Sequence, residues 1–333
     1  MKQYIIRRLL LFIPIIFGIS FILFFLYVSS PGDPLSGIIS TQPGITAERI
    51  EELRVLYGLD GNIFERYFNW LKNAIRFDFG VSLTFKESVS SVLGVYIWNS
   101  FYLNVLSFLF SIFVSIPLGI YISTKHGKAL DKCVLTFSLL FTSLPTFVLG
   151  IIAIKYIAPV LGLPIIGMTT IGSNYTGFAY IKDVLVHTIL PFAILSLFSL
   201  AGTLRVVKTS MLEIIKQDYI RTARAKGVSE KAVIYKHAFR NALIPLIPII
   251  VGGIVVLFSG SIIIEQVFGW PGVGNITYQA ILNRDYPLLM GAAMFYAVLT
   301  IFSNLLTDII YAVADASSGR GLPSVWLTSN TFT

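Results

Sequence analysis

Residues 210–241, SMLEIIKQDYIRTARAKGVSEKAVIYKHAFRN, decide how this chain is organised. They form a long polar interval between two strongly apolar ones. A plain connection between two helices needs only about 2–8 residues, so this length predicts structure of its own. We interpret the interval as a surface that another molecule binds. Its basic residues Arg221, Arg224, Lys226, Lys231, Lys236 and Arg240 outnumber its acidic residues Glu213, Asp218 and Glu230.

Helix start and stop signals divide this interval. The S-x-x-E pattern that begins at Ser210 fits a capping box. Asp218 favours the N-cap of a short helix that runs to Lys226, and Gly227 suits the left-handed residue that ends such a helix. Ser229 is typical of the cap of a third helix. The interval is therefore predicted to be helical, in three pieces.

The composition indicates a membrane protein. Of 333 residues, 55% are hydrophobic and only 13% are charged, and the mean hydropathy is +0.79. Soluble domains carry roughly 25% charged residues. The net charge of +8 does not indicate nucleic-acid binding, because the basic residues flank apolar runs, as the positive-inside rule requires. The single cysteine, Cys133, excludes a disulfide framework and is predicted to be an inert buried thiol.

Six apolar runs are long enough to cross about 30 Å of hydrocarbon. The first follows Arg7 and Arg8, exceeds a signal-peptide core and has no small-x-small cleavage site after it, so it is predicted to be a retained span. Basic residues concentrate before the first run, between the second and third, and between the fourth and fifth. This pattern predicts cytoplasmic termini. The predicted spans are 9–28, 98–123, 133–158, 184–204, 242–264 and 288–313.

The rest of the chain divides into a lobe and a tail. Pro31-Gly32-Asp33-Pro34 breaks the first helix. Thr46 and Gly58 then favour the start and end of an amphipathic helix, which packs a small core, lies at the headgroup level or docks an external partner. The predicted divisions are 1–30 (first transmembrane helix), 31–97 (extracytoplasmic lobe), 98–315 (core of five transmembrane helices, with the cytoplasmic segment 205–241) and 316–333 (disordered tail).

Polar residues inside the predicted spans have two interpretations. Serines at every fourth position from Ser107 to Ser115 favour close helix packing, with a pore lining as the alternative. Asn304 and Asp308 lie one turn apart in the last span, and a charge at a helix centre costs about 2.5–3.5 kcal/mol. Asp308 therefore has two interpretations: its side chain faces water or a partner helix, or it belongs to a gate or to the transport path. Asn304, Asp308 and Pro145, in the middle of the third span, are the candidate gate or path residues.

No motif of an enzyme or an energy source is visible. The sequence has no G-x-x-x-x-G-K-[ST] phosphate loop, no G-x-S-x-G and no H-E-x-x-H. His126, His187 and His237 are scattered, so no metal site is predicted. A proton-coupled carrier needs ionisable groups at depth, and the middles of the spans have none. The chain is therefore predicted to be a non-catalytic conduit that binds no cofactor and takes its energy from another protein.

With these residues in view, the chain resembles the permease subunits of bacterial ABC importers, in the oligopeptide, dipeptide and nickel branch. The family's cytoplasmic signature is Glu-Ala-Ala, three residues, then Gly. The stretch RTARAKG has that spacing, with Arg221 and Thr222 in place of Glu and the first Ala, and Arg240 stands where the wider signature ends in Pro. Both departures look like the peptide branch's own variant. Four further stretches agree: Arg7-Arg8, Pro31-Gly32-Asp33-Pro34, FGWPGVG at 268–274 and RDYP at 284–287.

The resemblance implies an all-α fold of the type I ABC importer kind, with six transmembrane helices and an external lobe after the first. It implies that the chain forms half of a translocation path for di- or oligopeptides, with a nickel or other metal chelate as the alternative cargo. An ATP-independent channel or a membrane scaffold are alternatives of another class. The implied partners are a second homologous permease, one or two cytoplasmic ABC ATPases that use ATP and Mg, and an external binding protein, in a bacterial or archaeal cell membrane.

The resemblance also assigns two groups of site residues. Ala223 and Ala225 would keep an ATPase-docking coupling helix thin, and Gly227 would let backbones approach closely. A membrane-surface helix held by anionic lipid is the alternative. The coupling segment is Asp218, Tyr219, Arg221, Thr222, Ala223, Arg224, Ala225, Lys226 and Gly227, and the external loop motif is Trp270, Pro271, Gly272, Gly274, Arg284 and Asp285.

Overall fold

A computed structural model describes residues 2–29, 32–33, 35, 39 and 44–317 of the chain. Over these residues the fold is helical apart from turns and one isolated β-bridge between Val81 and Ser88. In chain order the helices are α1 (Lys2–Val28), α2 (Ala47–Leu56), α3 (Ile63–Ala74), α4 (Val89–Thr124), α5 (Ala129–Ser143), α6 (Thr146–Ile152, continued by the π-helical turn Ala153–Ile157 and by Ala158–Leu161), α7 (Gly177–Ile215), α8 (Asp218–Ala225), α9 (Glu230–Ala232, continued by the π-helical turn Val233–Ala238 and by Phe239–Ala242), α10 (Ile247–Ser259, after a 3-10 turn at Ile244–Leu246), α11 (Ile262–Val267), α12 (Val273–Leu282) and α13 (Tyr286–Ser317).

Among the described residues, five helical segments are long and apolar enough to cross a membrane, and a sixth exists if α5 and α6 form one bent span. The third predicted span is therefore not a straight helix: α5 and α6 meet at 97°. Pro145 lies at this bend as the N-cap of α6. A proline pushes the residue before it out of the α region, and Leu144 accordingly has ψ 134°.

The fifth predicted span is also broken. α10 ends at Ser259, α11 begins at Ile262, and Gly260 between them has φ +69° and ψ −179°. Residues with a Cβ rarely adopt this conformation. A Cβ on Gly260 would also overlap the carboxylate of Glu265. The break therefore requires glycine for two reasons, its backbone conformation and the lack of space for a side chain.

The two longest helices, α4 and α7, make the most extensive helix–helix contact in the described chain. Ser107, Ser111 and Ser115 are buried, which confirms that this serine row packs rather than lines a pore within this chain. At Gly119 the approach is close, since a Cβ there would lie 2.7 Å from Val207 Cγ1. Small residues thus let the backbones of α4 and α7 approach each other.

The segment after α1 packs partly against α1 itself. Tyr67 of α3 is 1% exposed, and its hydroxyl lies 2.9 Å from Ser20 Oγ of α1. The predicted cap is confirmed, because Thr46 Oγ1 accepts a hydrogen bond from Arg49 N at 3.3 Å. α4 already begins at Val89, within the predicted lobe. Pro31, Pro34 and the predicted tail from residue 318 onward lie outside the described residues.

Cys133 lies on the exposed surface of α5, so the prediction of a buried thiol is wrong. The prediction took an apolar run to mean burial inside the protein. In a membrane, lipid tails are as apolar as leucine and cover such a helix equally well. An apolar surrounding therefore does not require protein contacts.

We expect Gly119→Ala to destabilise the α4–α7 pair by about 1–3 kcal/mol, because the added methyl would press into Val207. Gly94→Ala is the matched control, since it lies on the same helix with nothing within 4 Å of the new Cβ. Thermal unfolding of the detergent-solubilised chain measures the difference. Equal unfolding midpoints for the two variants would contradict the close approach.

Candidate functional site

The basic interval begins inside α7, which continues without a break from Gly177 to Ile215. Ser210 is buried within this helix, so the predicted helix start at Ser210 is wrong. No residue from Arg205 to Ile215 breaks the helix, and Val207 and Met211 on its buried side are 1% and 0% exposed. Packing of this side against the rest of the fold outweighs the local capping signal.

The short helix α8 follows almost where the sequence predicts it. Its N-cap is Gln217 rather than Asp218, which instead occupies the first turn. A negative side chain is favourable there, because the helix dipole leaves partial positive charge at the N-terminus. Ser229 is the N-cap residue of α9, as predicted.

α8 ends in a Schellman motif. The N–H of Gly227 donates to Arg224 O at 2.9 Å, and the N–H of Val228 donates to Ala223 O at 3.3 Å. Gly227 has φ +76°, which confirms the predicted left-handed residue. Ala223 and Val228 both pack at the edge of the same apolar cluster, which completes the motif. The end of α8 is therefore fixed by its own sequence.

α8 is attached through one face and presents the other. Ile220 is fully buried in a cluster with Ile120 of α4, Met211 of α7 and Val233 of α9. A Cβ on Gly227 would meet nothing within 4 Å. The predicted coupling residues that are exposed are Asp218, Tyr219, Arg221, Thr222, Arg224, Ala225, Lys226 and Gly227, while Ala223 is half-buried.

The charges on this face have different roles. Arg224 forms a bidentate ion pair with Glu230, with Nη2–Oε1 at 2.7 Å and Nε–Oε2 at 3.1 Å. These hydrogen bonds hold the pKa of the Glu230 carboxyl below its usual value. Because the pair is exposed, it contributes only about 0–1 kcal/mol. Arg224 thus braces the turn between α8 and α9, while Lys226 is exposed and Arg221, also exposed, lies 3.8 Å from Asp218.

A buried ion pair beside this segment was missed by the sequence analysis. Lys208 Nζ of α7 lies 2.5 Å from Asp131 Oδ1 of α5, and their side chains are 7% and 3% exposed. The other carboxylate oxygen accepts the N–H of Gly127 at 2.9 Å and lies 3.3 Å from His126 Nδ1. In the sequence, the only sign of this ion pair is an acidic residue, Asp131, at the start of an apolar run. The pair ties the loop before α5 to α7.

At the other end of α4, a second buried carboxylate organises the loop after α11. Glu265 is 0% exposed. Its Oε1 accepts from Ser100 Oγ at 2.7 Å and from the N–H of Ser261 at 3.2 Å, and its Oε2 accepts from the N–H of Asn275 at 2.9 Å. Donors of this kind offset the cost of burying the carboxylate. We call residues 260–275 with Ser100 the Glu265 corner.

Glycines make room for this carboxylate. A Cβ on Gly272 would overlap it, and a Cβ on Gly274 would lie 2.8 Å from Ile262 N and 2.9 Å from the Glu265 Oε2 atom. These two glycines belong to the predicted external loop motif. The structure gives a physical reason for both: the backbone must approach Glu265 more closely than a side chain allows.

Trp270 and Pro271 fasten the same loop to α4. Trp270 is fully buried, its Nε1 donates to Asn99 O at 3.1 Å, and its ring stacks on Tyr102 at 6.2 Å. The side-chain amide of Asn99 donates back to Pro271 O at 2.8 Å. The aromatic contact and the reciprocal hydrogen bonds hold the loop against α4.

Arg284 and Asp285 form a separate corner between α12 and α13. Asp285 is fully buried and accepts hydrogen bonds from Ser82 Oγ and from the N–H of Thr84, the latter at 2.9 Å. The Arg284 guanidinium lies where a Cβ on Gly32 would be. The external loop motif is thus two structural corners, one against α4 and one against the segment before α4.

The structure does not gather the candidate gate or path residues into one site. Pro145 lies at the bend between α5 and α6. Asn304 is exposed on α13, and Asp308 is half-buried one turn further along that helix. Their assignment to a gate or path stays a prediction.

The spans packed around α4 and α7, with the exposed basic helix α8 between two of them, define a multi-pass membrane protein. The family described as binding-protein-dependent transport system inner membrane component matches residues 115–319, and the N-terminal family of the same systems matches residues 1–94. The chain therefore belongs to this family of membrane permeases and is a multi-pass protein of the cell membrane.

Named relatives agree with this membership. The chain is 35% identical over 316 residues to the oligopeptide transport system permease protein AppB of Bacillus subtilis (strain 168), with 95% of this chain and 98% of that protein covered. It is 33% identical to the dipeptide transport system permease protein DppB of Escherichia coli (strain K12), with the same coverage.

A solved structure shares the fold. The chain is similar to a chain of the MetNI methionine ABC transporter in inward-facing conformations, with a TM-score of 0.50 and 18% sequence identity. The match covers 67% of this chain and 96% of that chain. At this identity the likeness concerns the fold alone. It confirms the predicted fold class of a helical ABC importer permease.

We expect Lys208→Met to lower the free energy of unfolding by about 3–5 kcal/mol, because it leaves the Asp131 carboxylate buried without its cation. The double variant Lys208→Met/Asp131→Leu should recover most of this loss. Denaturant unfolding of the purified chain measures both. A double variant as unstable as the single one would show that packing, not charge pairing, is what matters there.

We expect Glu265→Gln to destabilise the protein by about 1–3 kcal/mol, since the amide would turn a donor toward N–H and O–H groups that already donate to this position. Glu213→Gln, an exposed position on α7, is the control and should leave the melting temperature unchanged. A melting temperature unaffected by Glu265→Gln would contradict the acceptor-only role of this carboxylate.

Proposed function

We propose that this chain is a permease subunit of an ATP-driven ABC importer and forms half of the translocation path for di- or oligopeptides. The names of the relatives, oligopeptide and dipeptide permeases matched over 95% of the chain, support this cargo. The chain itself is non-catalytic and binds no cofactor. ATP and Mg are used by one or two partner ATPases, a second homologous permease completes the path, and an external binding protein delivers the peptide.

The observation that carries this proposal is the exposed face of α8. A buried Ile220 and a Schellman motif fix the helix, while Arg221, Lys226 and the open surface at Gly227 project from the fold. A helix held this firmly, with cations outward, suits docking into a groove of another protein, where charge mainly directs orientation and speeds association.

Charge also supports the orientation. The end of the fold with α8 carries the basic loops, including Lys125, Lys128 and Lys132, and we place it in the cytoplasm. Both termini then lie inside. The Glu265 corner and the Arg284-Asp285 corner lie on the outer side, where a binding protein would release its peptide.

The packing supplies a route for the motion. The cluster around Ile220 joins α8 to α4, α7 and α9, so a displacement of α8 moves the inner ends of these helices together. The bend at Pro145 interrupts a span outside this cluster, whereas the break at Gly260 lies at the far end of α10, whose first turns pack against the cluster. ATP-driven closure of the partner ATPases would shift the balance between inward and outward states through their differential contacts with α8.

The test replaces one glycine at a time. We expect Gly227→Leu to weaken ATPase co-purification and ATP-dependent peptide uptake by about tenfold or more, equivalent to roughly 1.4 kcal/mol of docking energy, while the chain still inserts. The added side chain would project from the docking surface. The measurements are pull-down of the ATPase subunits and uptake of a labelled tripeptide into proteoliposomes.

Gly127→Leu is the matched control. Gly127 has φ +78° against +76° at Gly227, and a Cβ at either position meets nothing within 4 Å. The strain of the left-handed backbone is therefore the same, and only the location differs. Full uptake and co-purification in both variants would refute docking at α8. Uptake by the purified chain without ATPases would indicate a channel instead.

A further inference from the structure

A groove of about 600 Å³ opens between the α8–α9 segment and the neighbouring ends of α10 and α13. Of the residues that line it, only Tyr219 belongs to the predicted coupling segment. One end of the groove carries the basic side chains of Lys236, His237 and Arg240. Apart from Tyr219 and Asn241, the rest of the lining is aliphatic and includes Ile247 and Ile250. The groove is therefore amphipathic along its length.

The groove lies at the boundary of the hydrocarbon layer. One candidate span begins at it, at Ile244, and Ile310 belongs to the last candidate span. Both of these residues line the groove. Its aliphatic part consequently faces the level of the lipid tails, and its basic part faces the level of the headgroups.

The charge in the groove is of one sign. No acidic side chain is among the residues that line it. Lys236 and Arg240 are exposed, and neither has an ion-pair partner within the described part of the chain. Unpaired cations attract an anionic headgroup, and the aliphatic surface beside them suits an apolar chain. The groove therefore complements an anionic amphiphile.

The groove also touches the docking helix. The side-chain amide of Asn241 donates to Tyr219 Oη of α8 at 2.9 Å, and both residues line the groove. An occupant would therefore contact α8 at Tyr219.

We propose that this groove binds one anionic phospholipid, with its phosphate on Lys236 and Arg240 and an acyl chain along Ile247 and Ile250. Basic pockets between transmembrane helices at the membrane boundary suit such headgroups. A transported peptide fits less well, because its ammonium group would find no acidic side chain in the lining. The proposal needs only the position of the groove at the span ends, so it stands apart from ATPase docking.

The test uses the purified full-length chain in a non-ionic detergent, titrated with phosphatidylglycerol or phosphatidylcholine and observed by native mass spectrometry. We expect phosphatidylglycerol to bind in preference to phosphatidylcholine. Lys236→Gln/Arg240→Gln should weaken phosphatidylglycerol binding roughly tenfold or more, since each cation near a lipid surface contributes substantially. Lys128→Gln/Lys132→Gln removes two exposed cations outside the groove and should have no effect.

Two further arms separate a built site from general surface attraction. Ile247→Trp, which fills the aliphatic part and leaves the charges, should also weaken phosphatidylglycerol binding, whereas Ile263→Trp at an exposed position on α11 should not. Inorganic phosphate at millimolar concentration should not displace the lipid. Equal lipid binding by the wild-type chain and Lys236→Gln/Arg240→Gln would overturn the proposal, as would displacement by phosphate or by a dipeptide.

Discussion

The close approach of α4 and α7 is the constraint on which the rest of the structure depends. Gly119 lets Val207 lie where a methyl group would otherwise be, and the buried serines continue the contact along α4. Without an aqueous hydrophobic effect between helices in lipid, such van der Waals packing of small residues is what associates them. Because α7 is fixed in this way, its extension to Ile215 places α8 at a defined position.

Local signals predicted the features that depend on local chemistry. The end of α8 at Gly227 and the cap at Thr46 follow from backbone conformation and from one side-chain hydrogen bond, and both are present. At Ser210 a capping signal of the same kind failed, because burial of the flanking Val207 and Met211 keeps the helix intact. A capping bond contributes about 1 kcal/mol, less than two buried apolar side chains.

Long-range pairs were beyond the sequence. Lys208 and Asp131 lie on different helices, and nothing near either residue marks it as one half of a buried pair. No local signal in the sequence marks Glu265 as buried. In the structure, Gly260, Gly272 and Gly274 leave the space that its buried carboxylate occupies. A Gly-rich loop can thus indicate an enclosed side chain as well as a flexible turn.

α4 connects the two ends of the molecule. Near its C-terminal end, Ile120 packs in the cluster that holds Ile220 of α8. Twenty residues earlier, Ser100 donates to Glu265 and Asn99 holds the loop at Trp270. At 1.5 Å per residue these contacts lie about 30 Å apart, roughly the thickness of the hydrocarbon layer. One continuous helix therefore links the α8 end of the fold to the Glu265 corner. The breaks at Pro145 and Gly260 lie in other helices and do not interrupt this connection.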